Sequence, residues 1–140
     1  MWKWTLSFLI LLLCCCTGRG VTSDELNHLN GYWEIEEVTF PDGSNKEYGA
    51  SPAVDFIHLE NEKGFRKKVY PKIDGSFNTS NSAESFELAD TDDGFVFLYS
   101  TETADWQERL LQIDSVSFTV MNEEGLKYSY RRFQPIEIPK

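Results

Sequence analysis

Leu29-Asn30-Gly31-Tyr32-Trp33-Glu34-Ile35 is the stretch whose reading decides the fold. Upstream of it, Thr22 and Glu25 stand three apart, as a capping box requires, and Leu26 and Leu29 share one face of the turn they open. This spacing predicts a helical turn over residues 23 to 28. From Tyr32 onward the pattern changes to short runs rich in Val, Ile, Phe and Tyr, separated by clusters of Asp, Gly, Asn and Pro, with no long amphipathic helix. The runs predict strands near 31 to 39, 53 to 60, 64 to 70, 73 to 78, 84 to 90, 94 to 100, 106 to 113, 115 to 121 and 126 to 133.

Pro41-Asp42-Gly43, Glu62-Lys63-Gly64, Asp92-Asp93-Gly94 and Glu123-Glu124-Gly125 each offer a glycine where a tight hairpin needs positive φ. Sequential strands are therefore expected to pair antiparallel. Val116, Phe118 and Val120 alternate with Ser117, Thr119 and Met121, and Tyr128, Tyr130 and Arg132 alternate with Ser129, Arg131 and Phe133. Such one-sided strands fit either a sheet closed on itself or a two-sheet sandwich.

Gly31-Tyr32-Trp33 on the first strand, and Tyr128-Ser129-Tyr130-Arg131-Arg132-Phe133 on the last, resemble the lipocalin family, and more closely its short bacterial lipoproteins. In that family a Gly-x-Trp sits at the closed end of an eight-stranded barrel, and an arginine of the last strand lies across the indole. The resemblance spans residues 23 to 134. It implies an all-β, antiparallel up-and-down barrel of about eight strands with a short N-terminal helical turn. Gly31 and Trp33 carry the first motif, and Arg131 or Arg132 carries the arginine. A guanidinium over an indole face contributes about 0.5 to 2 kcal/mol, here joining the first strand to the last. The chain departs from the longer members in having no disulfide in this region. Its tail, residues 135 to 140, cannot form their long helix, and Thr103-Ala104-Asp105-Trp106 only echoes their middle motif.

An eight-stranded barrel has room for its own side chains or for one small apolar ligand. Phe56, Phe86, Phe95, Phe97, Tyr99, Tyr128 and Tyr130 are the aromatics placed to line a pocket, with His58 the titratable residue to test for an inward position. The same side chains equally suit a filled core. Cup and plug both stand at this point.

The three cysteines, Cys14, Cys15 and Cys16, are adjacent, and none occurs in the residues that follow. Adjacent cysteines cannot close a loop onto a distant partner. Lys3 and the apolar run Leu6 to Leu13 precede them, and this run is far shorter than the roughly 20 residues a spanning helix needs. The segment resembles a bacterial lipoprotein signal: residues 1 to 15 removed, and Cys16 left as the acylated first residue, of palmitate type. Residues 16 to 22 form a flexible tether. This implies a monomer anchored to the outer membrane of a cell envelope through its N-terminal lipid. Plain secretion with a cut before Arg19 is the alternative, and there Asn78-Thr79-Ser80 becomes a glycan acceptor in a glycosylating host.

Without residues 1 to 15 the chain holds 12 basic against 23 acidic residues, a net charge of −11. Such a surface repels phosphate backbones, which excludes nucleic acid as a partner. Chemistry-bearing motifs are sparse. His28 and His58 have no metal-ligand partner at short spacing, and there is no Gly-x-Ser-x-Gly elbow. Glu34 and Glu36 share a strand face as solvated acids, while Asp90-Thr91-Asp92-Asp93-Gly94 lacks the closing glutamate of a calcium loop and reads as a hairpin turn. Arg66-Lys67-Lys68 is expected on a solvated outer face or as edge protection. No catalytic constellation, cofactor or metal follows. Three roles remain: a carrier of a small hydrophobic ligand; a filled barrel that binds another envelope protein through loops such as Ser76 to Ser85; and, weakest, an enzyme.

Overall fold

The computed structural model describes residues 20 to 135. Cys16, the proposed cleavage sites and the tail beyond Pro135 lie outside the described residues. A 3₁₀ helix, Ser23–Leu29, leads into nine strands: β1 Gly31–Thr39, β2 Asn45–Glu47, β3 Val54–Glu60, β4 Lys63–Pro71, β5 Phe77–Thr91, β6 Gly94–Ser100, β7 Asp105–Ile113, β8 Ser117–Asn122 and β9 Lys127–Arg132. The helix start obeys the capping box, with the Glu25 carboxylate accepting from the Thr22 amide at 2.8 Å and from its hydroxyl at 3.0 Å. Each strand pairs antiparallel with the next from β3 to β9, and β9 pairs with β1. Both β2 and β3 pair along one edge of β1, β2 near its end and β3 near its start. Together they make one interrupted stave, so the nine strands form a closed eight-stranded antiparallel barrel.

The closed end is built on Trp33, which is fully buried. Its indole N–H donates to the Leu29 carbonyl at 2.8 Å, and Phe118 meets the ring edge-on at 4.7 Å. Arg132, and not Arg131, covers the other side, with its guanidinium 4.1 Å from the ring centre. Arg132 also donates to the carbonyls of Ser115, Asn30 and His28 at 2.6, 3.0 and 2.7 Å. Helix end, first strand, last strand and the β7–β8 turn are thus gathered on one side chain. Arg131 points the other way and pairs with Glu34 at 3.0 Å. Gly31 is required beneath this stack: its φ is +128°, and a Cβ there would stand 2.5 Å from an Arg132 nitrogen.

Four expectations need correction. Ser76 to Ser85 is not a polar rim loop, and there is no separate strand over 73 to 78. From Phe77 this segment is the first half of β5, paired with β4. The register slips between Lys67 and Val69, where Ser80 to Ser82 bulge, and the Ser80 hydroxyl donates to the Lys68 carbonyl at 2.9 Å. A run of small polar residues serves here to bend a hairpin. In the β3–β4 turn, positive φ falls on Asn61 and Glu62, not on Gly64. Gly64 lies in the strand, where a Cβ would collide with the His58 carbonyl and the Phe86 ring. Arg66 and Lys68 are not on an outer face; both are on the inner one, as described below.

Arg132→Met removes a cation–π contact and three charged hydrogen bonds, and is expected to lower stability by about 2 to 4 kcal/mol. Arg131→Met should cost about 1 kcal/mol or less, the worth of a half-exposed ion pair. Urea denaturation of the two variants side by side checks the assignment of the stacked arginine.

Candidate functional site

Alternation along the strands sorts the aromatic residues into two sets. Asp55 is opposite Trp33 in the ladder and shares its inward side, so Phe56 and His58 face outward. Phe56 packs against Tyr32 at 4.9 Å and Phe65 at 6.0 Å, and His58 is half-exposed beside Glu60 at 3.7 Å. Neither joins the interior group. Phe86, Phe95, Phe97, Tyr99 and Tyr130 belong to the buried core, with Tyr128 and Trp106 partly buried against it. Phe86 meets Phe97 at 5.0 Å and Tyr99 at 5.5 Å, Tyr99 stacks on Trp106 at 4.9 Å, and Tyr130 stacks on Phe118 at 4.6 Å. The interior is therefore occupied by its own rings from Phe118, which touches Trp33, to the Tyr99–Trp106 pair beside the β6–β7 turn.

Against these rings lies a set of charges that the sequence reading did not assign. The Arg66 side chain projects inward, 4.7 Å from the Tyr99 ring centre. It donates through Nε to Glu84 at 2.9 Å, with a second nitrogen 2.8 Å from the same oxygen, and a third approaches Glu108 at 3.6 Å. Next to it Lys68 Nζ is 2.6 Å from the buried Asp55 carboxylate. The register explains the arrangement, since Arg66 is opposite Glu84, and Asp55 is opposite Lys68. Burial disfavours the Arg66 cation, but Tyr99, Glu108, Tyr130 and Glu84 outweigh it and hold its pKa above the ordinary arginine value. Burial likewise raises the Tyr99 and Tyr130 phenols, which stay protonated donors at neutral pH. Glu108 is pushed up by burial, against the pull of Arg66. The result is a cluster of donors and acceptors set beside aromatic rings, a combination whose chemistry matches the polar end of a small, mainly apolar molecule. The signal for it was present as period-two placement: Arg66 and Lys68 on one strand, Glu84 two residues from Phe86, Glu108 two from Trp106.

Closed eight-stranded barrel, helical entry over one end, and an indole–guanidinium stack sealing that end: these features make the chain lipocalin-like in fold. No family model matches the sequence, and none of the curated proteins does. Among solved structures, it is similar to a lipocalin-like protein from Bacteroides uniformis, with TM-score 0.48 and 12% identity over 76% of this chain and 99% of that one. An uncharacterized protein from Bacteroides eggerthii gives TM-score 0.47 and 12% identity over 75% and 99% of the two chains. Lobster apocrustacyanin A1 gives 0.44 and 13% over 79% and 64%. Among the described residues, no helix is long and apolar enough to cross a membrane.

The raised Glu108 pKa carries a pH signature. Its folded-state value exceeds the unfolded one, so its stabilising contribution is complete below the ordinary glutamate pKa and is lost as pH rises through the folded value. Glu108→Gln should abolish that loss. Urea unfolding across the acid-to-neutral range is expected to show the wild type losing stability relative to the variant as pH rises.

Proposed function

We propose that this domain is a binding protein without catalytic activity, which holds a small hydrophobic molecule in its barrel beside Arg66. The observation that carries this reading is Arg66, a largely enclosed cation set against the Tyr99 ring and shared between two carboxylates. Buried charge is costly unless it is paired, and a filled core gains nothing from it that an apolar side chain would not supply. A ligand with one polar end gives the cluster a use: the head group exchanges hydrogen bonds with Arg66 or Glu108, and its apolar body rests on the rings. In the same reading Cys16 carries the lipid that tethers the monomer to the envelope, with plain secretion as the alternative.

A second reading, a filled barrel that recognises a protein through its turns, is favoured by the continuous ring packing from Phe86 through Tyr99 to Trp106. Native mass spectrometry of the protein purified from its own host separates the two. A reproducible bound molecule that is largely absent from Arg66→Met supports the carrier, and occupancy should fall about tenfold or more for loss of a charged hydrogen bond. An empty and stable wild type sinks the carrier and leaves the filled barrel. For the anchor, Cys16→Ala should release the protein in soluble or unprocessed form; recovery in the membrane fraction at normal processed mass overturns it.

A further inference from the structure

The bend in the β4–β5 hairpin builds a second concavity, outside the barrel. Ser80 to Ser82 turn the hairpin outward, so that Phe77 stacks on the outward-facing Tyr32 with ring centres 4.4 Å apart and planes 3° from parallel. Phe133, just past β9, meets Phe77 edge-on at 6.0 Å. The hairpin tip is held by the Lys72 amide donating to the Ser76 carbonyl at 2.8 Å, and by the Asp74 carboxylate accepting from the Ser76 amide and hydroxyl at 2.9 and 2.6 Å. Between the tip, the β7–β8 turn and the chain leaving β9 lies a groove of about 790 Å³. That volume is within the range of small-molecule sites.

Its walls are Pro71, Ile73, Phe77, Val116, Phe133 and Pro135. Ile73 is 83% exposed and Val116 62%, unusual for aliphatic side chains facing a shared hollow. The charges lining the groove are Lys72, Arg131 and Arg132 against the single acid Glu34. Glu34 is taken up by Arg131, and Arg132 bonds only to carbonyl oxygens, leaving its charge unbalanced. Lys72 has Asp74 near it, but that carboxylate is bonded within its own turn. A groove carrying net positive charge on a chain of net charge −10 concentrates the local field for an anion.

We propose that this outer groove is a binding site for an anionic amphiphile, a carboxylate with a flexible hydrocarbon body. The hydrocarbon lies along Ile73, Phe77, Val116 and Phe133, and the anionic end is directed to Lys72 and Arg132. The site is distinct from the barrel mouth, and its occupancy does not depend on the carrier reading.

Decanoate and decanol, below their aggregation limits, are matched probes that differ in charge. Titrated into ¹⁵N-labelled residues 20 to 140, which hold every described strand and core residue, decanoate should shift the amides of residues 72 to 77, 116 and 131 to 134. It should bind about tenfold more tightly than decanol. Lys72→Glu should weaken decanoate about tenfold, the scale of reversing one surface charge beside an anion, and leave decanol unchanged. Shifts confined to Tyr99, Trp106 and Tyr128 would place binding in the barrel and overturn the groove, as would equal affinity for the two probes. Binding that appears only after deletion of residues 136 to 140 would mean that the chain's own tail fills the groove, and also overturns it.

Discussion

One stack, the Arg132 guanidinium over the Trp33 indole, holds the molecule in register. Every strand of the barrel is joined to its neighbours by ladders whose turns are local, except at the single seam where β9 meets β1. Backbone hydrogen bonds can zip that seam in more than one register, because they do not distinguish side chains. The stack removes the ambiguity. Trp33 is opposite Arg132 in the ladder, and a slip by one residue would turn the indole out to solvent and the guanidinium away from three carbonyls. Gly31 is the corollary, a missing side chain where the arginine must pass.

With the closed end fixed, polarity along the barrel axis follows from alternation alone. The interior rings pack against one another, and the inward face also carries Asp55 of β3, Arg66 and Lys68 of β4, Glu84 of β5 and Glu108 of β7. Arg66–Glu84 and Lys68–Asp55 are paired across neighbouring strands and Glu108 meets Arg66 across the interior, which is the condition under which an interior tolerates charge. A barrel designed only for stability would place Leu or Val there. The chain keeps a set of paired charges there instead.

Much of this was legible in the sequence. The helical turn and the antiparallel order follow from spacing and from turn residues, whereas the barrel and the motif residues Gly31 and Trp33 come from the resemblance to the lipocalin family. The choice between Arg131 and Arg132 did not, because adjacent residues differ only in which side of the sheet they take, and the Ile35–Glu37 bulge in β1 alters the count. Phe56 and His58 look like lining residues until the pairing of Asp55 with Trp33 fixes the face of β3. Arg66 reads as a surface cation because its partners, Glu84 and Glu108, lie on two other strands. Ser76 to Ser85 carries the composition of a loop, and only long-range pairing with β4 shows that the same small residues form a bulged strand.

The seam also sets the order of events during folding. The hydrogen bonds from Arg132 to Asn30 and His28 span 102 and 104 positions. Loop closure over that separation must be completed before the ring gains anything from it, so the last ladder to form is the one that defines the end. Until the chain has been delivered through Arg132, β1 and β8 are raw strand edges able to pair with any other extended chain. A nascent copy of this protein is therefore most exposed to aggregation in the interval before its final strand arrives, and closure of the ring is what ends that exposure.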